Sequence, residues 1–522
     1  MATTKFGVFR INAPVFFISA FVILVVSLFG VVNPEGSEVI FTTLRDGIAQ
    51  RFGWFYLIGV AIFLIFVLFL AFSRFGTVKL GDNDDDPDYS YLSWFAMLFS
   101  AGMGIGLLFF SVAEPMWHYG YPPIGEGQTN EAARDAMRLT FYHWGLHAWG
   151  IYIIVGMALA YFHFRRKLPL TLRSAFYPLL GERVNGPVGH AIDILAIFGT
   201  LFGIATSLGF GAMQVNSGLG YLFEGVSGDS VMVQVLLVIG ITALATISLM
   251  LGLDRGIKRL SEINMVMALA LMLFIFLVGP TVLILNTFAQ TTGSYLQQVI
   301  ETTFWMNAFE LGEEGWLTGW TLFYWAWWIS WSPFVGMFIA RVSRGRTIRE
   351  FVVGVLFVPV LLSFIWMSVF GTTALNIEVT GDGGILSAME AGGSEVAMFA
   401  MLEHFPLAAI TSIVAILVVV LFFVTSSDSG SLVIDMLSSG GETHTHPGQR
   451  VFWATLEGLV AAVLLMAGGL TALQSASIVT ALPFTAVLLI MCYSLYRALR
   501  TEPFKEGRMP KRYGPGTGSR AS

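Results

Sequence analysis

Apolar residues in this chain come in long runs separated by short polar connectors. That pattern is neither the period-two alternation of a half-buried strand nor the one-sided stripe of a soluble helix. A helix needs about 20 mostly apolar residues to cross a bilayer. Twelve runs meet that need: 14–32, 54–73, 91–113, 140–162, 189–222, 230–252, 263–286, 320–340, 352–371, 408–427, 451–468 and 474–496. They predict an all-α membrane protein with twelve transmembrane helices. Residues 296–312 mix polar positions such as Gln297 and Gln298 with Phe304, Trp305 and Phe309, which predicts an amphipathic helix along the interface. The first run is too long for a signal-peptide core and has no small-residue cleavage site after it, so it reads as the first span.

Composition and charge sharpen this picture. The 522 residues are 56% hydrophobic and 12% charged, half the charge of an ordinary soluble domain at about 25%. With the N-terminus inside, all but four of the 28 Lys and Arg fall on the cytoplasmic side, the exceptions being Arg45, Arg51, Arg134 and Arg138. The positive-inside rule then places both termini in the cytoplasm. The single cysteine, Cys492, lies in an apolar run and reads as a packed hydrophobe; it excludes disulfides within the chain. The acidic stretch Asp82–Asp88 begins like a calcium loop but has Pro87 where Gly is needed, and reads as a solvated loop.

Two runs carry helix-breaking residues in their middles. Gly102-Met103-Gly104-Ile105-Gly106 interrupts the third, and Ser330-Trp331-Ser332-Pro333 with Gly336 interrupts the eighth. Each Gly costs a helix about 1 kcal/mol relative to Ala, and unwinding leaves backbone groups free to face an ion or a ligand. Such pairs mark the midplane site of transporters built from inverted repeats. Four spans follow each interruption, so spans 3–7 and 8–12 form two five-helix units, and the odd number inverts one against the other. The layout expected is 1–90 (N-terminus and two extra helices), 91–290 (first repeat), 291–319 (extracellular amphipathic segment), 320–497 (second repeat) and 498–522 (cytoplasmic tail).

The same two regions are dense in aromatic rings. On one continuous helix at about 100° per residue, Trp144, Trp149 and Tyr152 fall on one side. Trp325, Trp327, Trp328 and Trp331 place four indoles within seven residues. Stacked Trp and Tyr faces attract cations that lack hydrogen-bond donors, quaternary ammonium above all, at roughly 0.5–2 kcal/mol per ring. His143 and His147 stand at the i, i+4 spacing of a helical metal pair, but no second pair accompanies them, so packing is the simpler reading and a membrane metalloenzyme the remote one. The adjacent hydroxyls Thr425 and Ser426 suit a hard cation or, more simply, bond back to their own helix.

From Tyr324 to Arg346, and in Gly102–Gly106, Ala113-Glu114-Pro115, Trp144/Trp149/Tyr152 and Phe422–Asp428, the chain resembles the betaine/choline/carnitine transporter family over nearly its whole length. The resemblance implies a LeuT-like fold of two inverted five-helix repeats preceded by two extra helices. It further implies a homotrimer in a bacterial cytoplasmic membrane that transports trimethylammonium osmolytes, with no enzyme activity, no cofactor and no nucleic-acid partner. By that resemblance Trp144, Trp149, Tyr152 and Trp328 surround the trimethylammonium group, and Trp325 and Trp331 line the pathway on either side. The substrate carboxylate meets Gly102 and Met103, and sodium, the coupling ion, is held by Ala101, Met103, Phe422, Thr425 and Ser426. Gly106 stands where proton-coupled choline members carry Asp, and 262–266 lacks the Arg of sodium-independent antiporters; both favour sodium and glycine betaine. Choline, carnitine, ectoine and dimethylsulfoniopropionate are the alternative substrates, and proton coupling or antiport the alternative modes. A second sodium site matches at Thr200 and Phe334, but Ile204 replaces its second Thr and Thr206 is off register. Osmosensing members of the family carry a long basic C-terminal helix; the shorter stretch after the last span here implies weaker or absent osmotic activation, with Lys505, Arg508, Lys511 and Arg512 available to anionic lipid.

Overall fold

The computed structural model describes residues 4–102, 104–250, 254–308 and 314–503. Met103, Phe309 and the tail from residue 504, basic residues included, lie outside that range. A two-stranded antiparallel hairpin not foreseen from the hydropathy, β1 (Thr4–Phe6) and β2 (Phe9–Ile11), opens the chain. The rest is helical. In order come α1 (Ala13–Val32), α2 (Pro34–Phe72), α3 (Tyr91–Gly102), α4 (Ile105–Gly120), α5 (Asn130–Trp144), α6 (Leu146–Ala160), the short α7 (Tyr177–Leu180), α8 (Pro187–Leu222), α9 (Val231–Met250) and α10 (Asp254–Val278). Then follow α11 (Thr281–Phe304), the short α12 (Glu314–Leu317), α13 (Phe323–Arg341), α14 (Ile348–Thr380), α15 (Ile385–Gly392), α16 (Ala397–Leu402), α17 (Ala408–Ser438), α18 (Pro447–Met466) and α19 (Gly469–Leu499).

Among the described residues, ten helical stretches are long and apolar enough to cross a bilayer. The two predicted spans missing from that set are the ones with interruptions, the α3–α4 region and the α13 region. Nearly every residue of α6 and α13 is buried, whereas α1, α9 and α10 present Leu, Ile, Val and Phe outward. Lipid solvates such side chains as well as a protein core does, so apolar exposure at the periphery is expected rather than costly. The central helices touch backbone to backbone where glycines allow it. A methyl group on Gly336 of α13 would stand 2.9 Å from the backbone N of Gly156 on α6, so only hydrogen fits there.

Four expectations change. The second span begins at Pro34 instead of residue 54, because Asn33 caps α2 by accepting from the Gly36 N–H at 3.0 Å and the helix then runs on through Arg45 and Arg51. The seventh ends at Val278, since Pro280 cannot continue a helix hydrogen-bond ladder; α11 then runs as a single helix across the expected boundary at 290/291. The fourth is divided at Gly145, with α5 ending at Trp144 and α6 starting at Leu146. The eighth is not unwound. α13 passes through Pro333 as α-helix, and the Ser332 hydroxyl donates to the Ile329 carbonyl at 2.7 Å, the acceptor that a residue with an N–H at 333 would have used. The irregularity in this span lies earlier, in a π-helical turn at Thr318–Leu322.

The acidic loop is also less solvated than expected. Lys167 pairs with Asp82 at 3.0 Å, Arg344 with Asp85 at 3.2 Å, and the Lys79 ammonium donates to the Asp85 carbonyl at 2.7 Å.

Candidate functional site

The third span breaks as its glycines predict. α3 ends at Gly102, Gly104 is fully extended at φ −161° and ψ −178°, and α4 starts at Ile105. The first turn of α4 therefore has backbone N–H groups with no partner in a preceding turn. Gly104, Gly106 and Leu107 from this region line a cavity with about 410 Å³ of empty space, its opening included, whose other walls include Trp144, Ala148, Trp149, Tyr152, Trp327, Trp328, Trp331 and Ser363.

The rings stand as walls at steep angles. Trp144 meets Trp328 edge to face, with centroids 5.0 Å apart and planes at 70°. Tyr152 meets Trp149 at 5.4 Å and 83°, and Trp328 at 6.2 Å and 75°. Behind Trp328, Trp327 stacks at 4.6 Å and 17°. Each indole is oriented by its N–H where a partner exists: Trp328 donates to the His143 carbonyl (3.0 Å), Trp144 to Glu114 Oε2 (2.8 Å) and Trp327 to the Gly203 carbonyl (3.3 Å). An indole N–H buried in an apolar core needs such a partner, so these bonds select the ring rotamers.

The break at Gly145 helps bring these walls together. A methyl there would meet the Phe141 carbonyl at 2.5 Å and the Tyr295 hydroxyl at 2.9 Å. That hydroxyl, from α11, accepts the Leu146 N–H at 3.2 Å. Trp144 and Trp149 therefore belong to two helices, and the angular count along one continuous helix does not hold. The four rings Trp144, Trp149, Tyr152 and Trp328 nonetheless line one cavity. Trp331 lines it too. Trp325 does not; it points the other way, stacking on His147 at 5.3 Å and meeting Tyr142 at 5.1 Å. His147 bonds Thr303 through Nε2 (2.9 Å), and His143 reaches Glu114 and Thr321 instead, so the two histidines do not form a pair.

A second cavity, about 720 Å³, lies on the other side of Trp331. Phe334, Phe422, Thr425 and Ser426 line it, joined by Ser100, Ser261, Asn264 and Ser429. Its polar atoms are neutral oxygens and amides, the donor set a hard monovalent cation takes. Thr425 donates back to the Leu421 carbonyl at 2.9 Å and to the Phe422 carbonyl at 3.3 Å, which uses its proton and not its oxygen lone pairs. Asn264 is buried, and neither of its amide atoms has a hydrogen-bond partner. Thr200, on α8, is buried with an unpartnered hydroxyl, while Thr206 is consumed by the Phe202 and Leu473 carbonyls and Ser477. Ile204 packs against Gly430 of α17.

Sequence reasoning passed over Glu114 except as part of a motif. The carboxylate is fully buried and accepts from Trp144, from Tyr324 (2.5 Å), from His143 (2.6 Å) and from His118 (3.3 Å). The signal was available: a carboxylate inside an apolar run is a site candidate by default.

The sequence matches those of known proteins. Residues 14–504 fit the model of the BCCT, betaine/carnitine/choline family transporter. The chain belongs to the BCCT family. Members of this family are transporters, not enzymes. Curated BCCT relatives cover nearly the whole chain. A glycine betaine transporter of Acinetobacter baylyi is 49% identical over 95% of this chain and 74% of its own length. The glycine betaine transporter OpuD of Bacillus subtilis is 48% identical over 91% of this chain and 92% of its own. A glycine betaine/proline/choline transporter of Vibrio parahaemolyticus is 46% identical over 94% and 91%.

Proposed function

We propose that this BCCT transporter imports glycine betaine, or a close onium osmolyte, by sodium symport. The observation that carries the reading is the convergence of Trp144, Trp149, Tyr152 and Trp328 on one cavity beside the broken α3–α4 helix. Ring faces from three helices suit a trimethylammonium group, which offers no hydrogen-bond donor and is attracted by π-faces. The first turn of α4, at Ile105 and Gly106, presents N–H groups and the positive end of a helix dipole to the carboxylate of a zwitterion, while the Leu107 N–H already donates to the Gly104 carbonyl at 3.1 Å. Trp331 separates this cavity from the polar one and serves as the pathway residue between them. Trp325, packed on His147, acts as scaffold.

Sodium would be held by Phe422, Thr425 and Ser426 together with Ala101 and Met103 of the broken segment. Asn264, with its amide unpartnered in the same cavity, is a further ligand in this reading. Thr200 and Phe334 are the candidates for a second ion, with Ile204 in place of one expected hydroxyl. The proposed architecture is LeuT-like, with twelve spans: two extra helices (1–90), inverted repeats at 91–290 and 320–497, and α11 with its connection (291–319) between them. Both termini are proposed to be cytoplasmic and the assembly trimeric. Choline is the second reading, favoured by the name of the Vibrio relative. Uptake of labelled betaine, choline, carnitine, ectoine and dimethylsulfoniopropionate into proteoliposomes, with and without an inward sodium gradient, separates these. Sodium-dependent betaine uptake is expected; uptake indifferent to sodium would remove the coupling.

A further inference from the structure

Glu114 is a buried charge that needs an explanation. It sits on α4 with its side chain wholly out of solvent, and placing a carboxylate there costs several kcal/mol unless the surroundings return it. No Lys or Arg among the described residues pairs with it; its only ion-pair neighbours are His118 and His143.

The donors identify which form the site holds. Trp144 Nε1–H donates to Oε2 at 2.8 Å, and an indole has no acceptor to offer in return. On the other oxygen, His118 Nε2 stands 3.3 Å from Oε1, while its Nδ1 accepts from Trp316 Nε1 at 3.2 Å. That bond puts the His118 proton on Nε2, pointing at Glu114, and leaves the ring neutral. Tyr324 Oη at 2.5 Å and His143 Nδ1 at 2.6 Å complete the set. Thr321 at 2.9 Å from His143 Nε2 gives that ring a donor to accept from, so it too is satisfied as a neutral imidazole. Four donors converge on two oxygens, which is the solvation of an anion.

The anion lies directly behind the aromatic cavity. Trp144 is one of its walls, and Tyr324 stacks on Trp328, another wall, at 5.6 Å and 29°. Hydrogen bonds from N–H or O–H to a carboxylate are charge-assisted and pull electron density from the acceptor into the donor ring. The faces of Trp144 and Tyr324 become more negative, and the Coulomb attraction of the carboxylate adds to theirs in a medium that screens it weakly.

We propose that Glu114 is a positioning and specificity-determining residue: through Trp144 and Tyr324 its charge makes the cavity prefer a cationic head over an uncharged one of the same shape. The inference rests on the onium-binding reading of that cavity. It deepens that reading by assigning the cation preference to a group that does not touch the substrate.

The test compares glycine betaine with its carbon isostere 3,3-dimethylbutanoate, which replaces trimethylammonium by tert-butyl. Dissociation constants for both are measured by calorimetry on the purified, sodium-saturated protein. Wild type is expected to prefer betaine; equal binding of the two would remove the onium reading itself, and this inference with it. Glu114→Gln keeps the shape and one acceptor but removes the charge. It should weaken betaine by about tenfold and leave the isostere within about twofold, so the preference collapses. Parallel weakening of both ligands would reduce Glu114 to scaffold and overturn the inference. Glu114→Asp, which keeps the charge, should restore the preference even where both affinities fall. If Glu114→Gln does not fold, Tyr324→Phe removes one donor and leaves the anion. One of the two relays is thereby broken, so a reduced preference is expected there, and an undiminished preference overturns the inference.

Discussion

A methyl group on Gly106 would stand 2.4 Å from Cη2 of Trp327 and 3.2 Å from Cη2 of Trp144. Trp327 has nowhere to go, because it is stacked on Trp328 and bonded through its N–H to the Gly203 carbonyl. Even the smallest side chain at 106 therefore presses the indole pair into the cavity. Gly106→Ala should raise the KM for betaine at least about tenfold, since overpacking costs of 1–3 kcal/mol fall directly on the site. Uptake kinetics in proteoliposomes measure it, and an unchanged KM would show that the pair yields freely.

Trp328 and Trp325 are three residues apart on α13 and face different surroundings. Trp328→Ala removes a cavity wall and should abolish betaine binding with the protein still folded. Trp325→Ala removes a ring packed on His147 and Tyr142 and should instead cost about 3–5 kcal/mol of stability, as large-to-small core changes do. Thermal unfolding and betaine titration on both variants give the contrast; a binding defect of equal size in both would mean that Trp325 reaches the substrate.

The polar cavity beyond Trp331 makes a separable prediction. Thr425→Ala, Ser426→Ala and Asn264→Ala should each raise the sodium concentration for half-maximal uptake while the betaine KM at saturating sodium changes by less than about threefold. Thr200→Val tests the second ion: a lower Hill coefficient for sodium is expected if its unpartnered hydroxyl is a ligand, and an unaltered coefficient if a single ion is coupled.

At the far end of α6, Glu502 is buried between Arg165 (2.7 Å) and Arg166 (3.1 Å) and accepts from the Tyr161 hydroxyl at 2.6 Å. Glu502→Gln leaves two buried guanidinium groups without a counter-charge, and breaking a pair this way costs about 3–5 kcal/mol. A marked fall in melting temperature is expected; no fall would mean that water reaches the cluster.

Arg165 also donates to the Gly81 carbonyl and to Asn83, which ties this cluster to the acidic loop. Within that loop, partial burial works against the charge of Asp85. The Asp82 N–H and the Arg344 guanidinium outweigh it and hold the carboxyl below its ordinary range. A lowered folded-state pKa stabilises the loop above the unfolded value and loses that effect only as pH falls through the folded value. Hydrogen exchange over residues 80–90, corrected for intrinsic rates, should stay slow into mildly acidic solution and rise below it. In Arg344→Ala the rise should come at higher pH.

Much of this protein was legible in one dimension. The apolar runs specify membrane helices because a bilayer demands length and hydropathy and little else, and among the described residues ten helical stretches are long and apolar enough to cross. The glycines at 102, 104 and 106 specify a break for the same local reason, loss of helix propensity, and the break is there. Pro333 looks equally disruptive in the sequence. Its effect was decided by the Ser332 hydroxyl, a compensation that no propensity encodes.

The aromatic residues of the cavity were nameable from their density, but their grouping was not. Gly145 divides the helix on which they were counted, and Tyr295, from a helix about 150 residues away, fills the division. Trp325 was indistinguishable from Trp328 until their neighbours were known. Glu114 was visible as a carboxylate in an apolar run, yet its four donors come from α4, α5 and α13. Local patterns set which segments enter the membrane and where they weaken. Which rings share a wall, and which charge stands behind it, depended on contacts between helices distant in the chain, and only packing determines those.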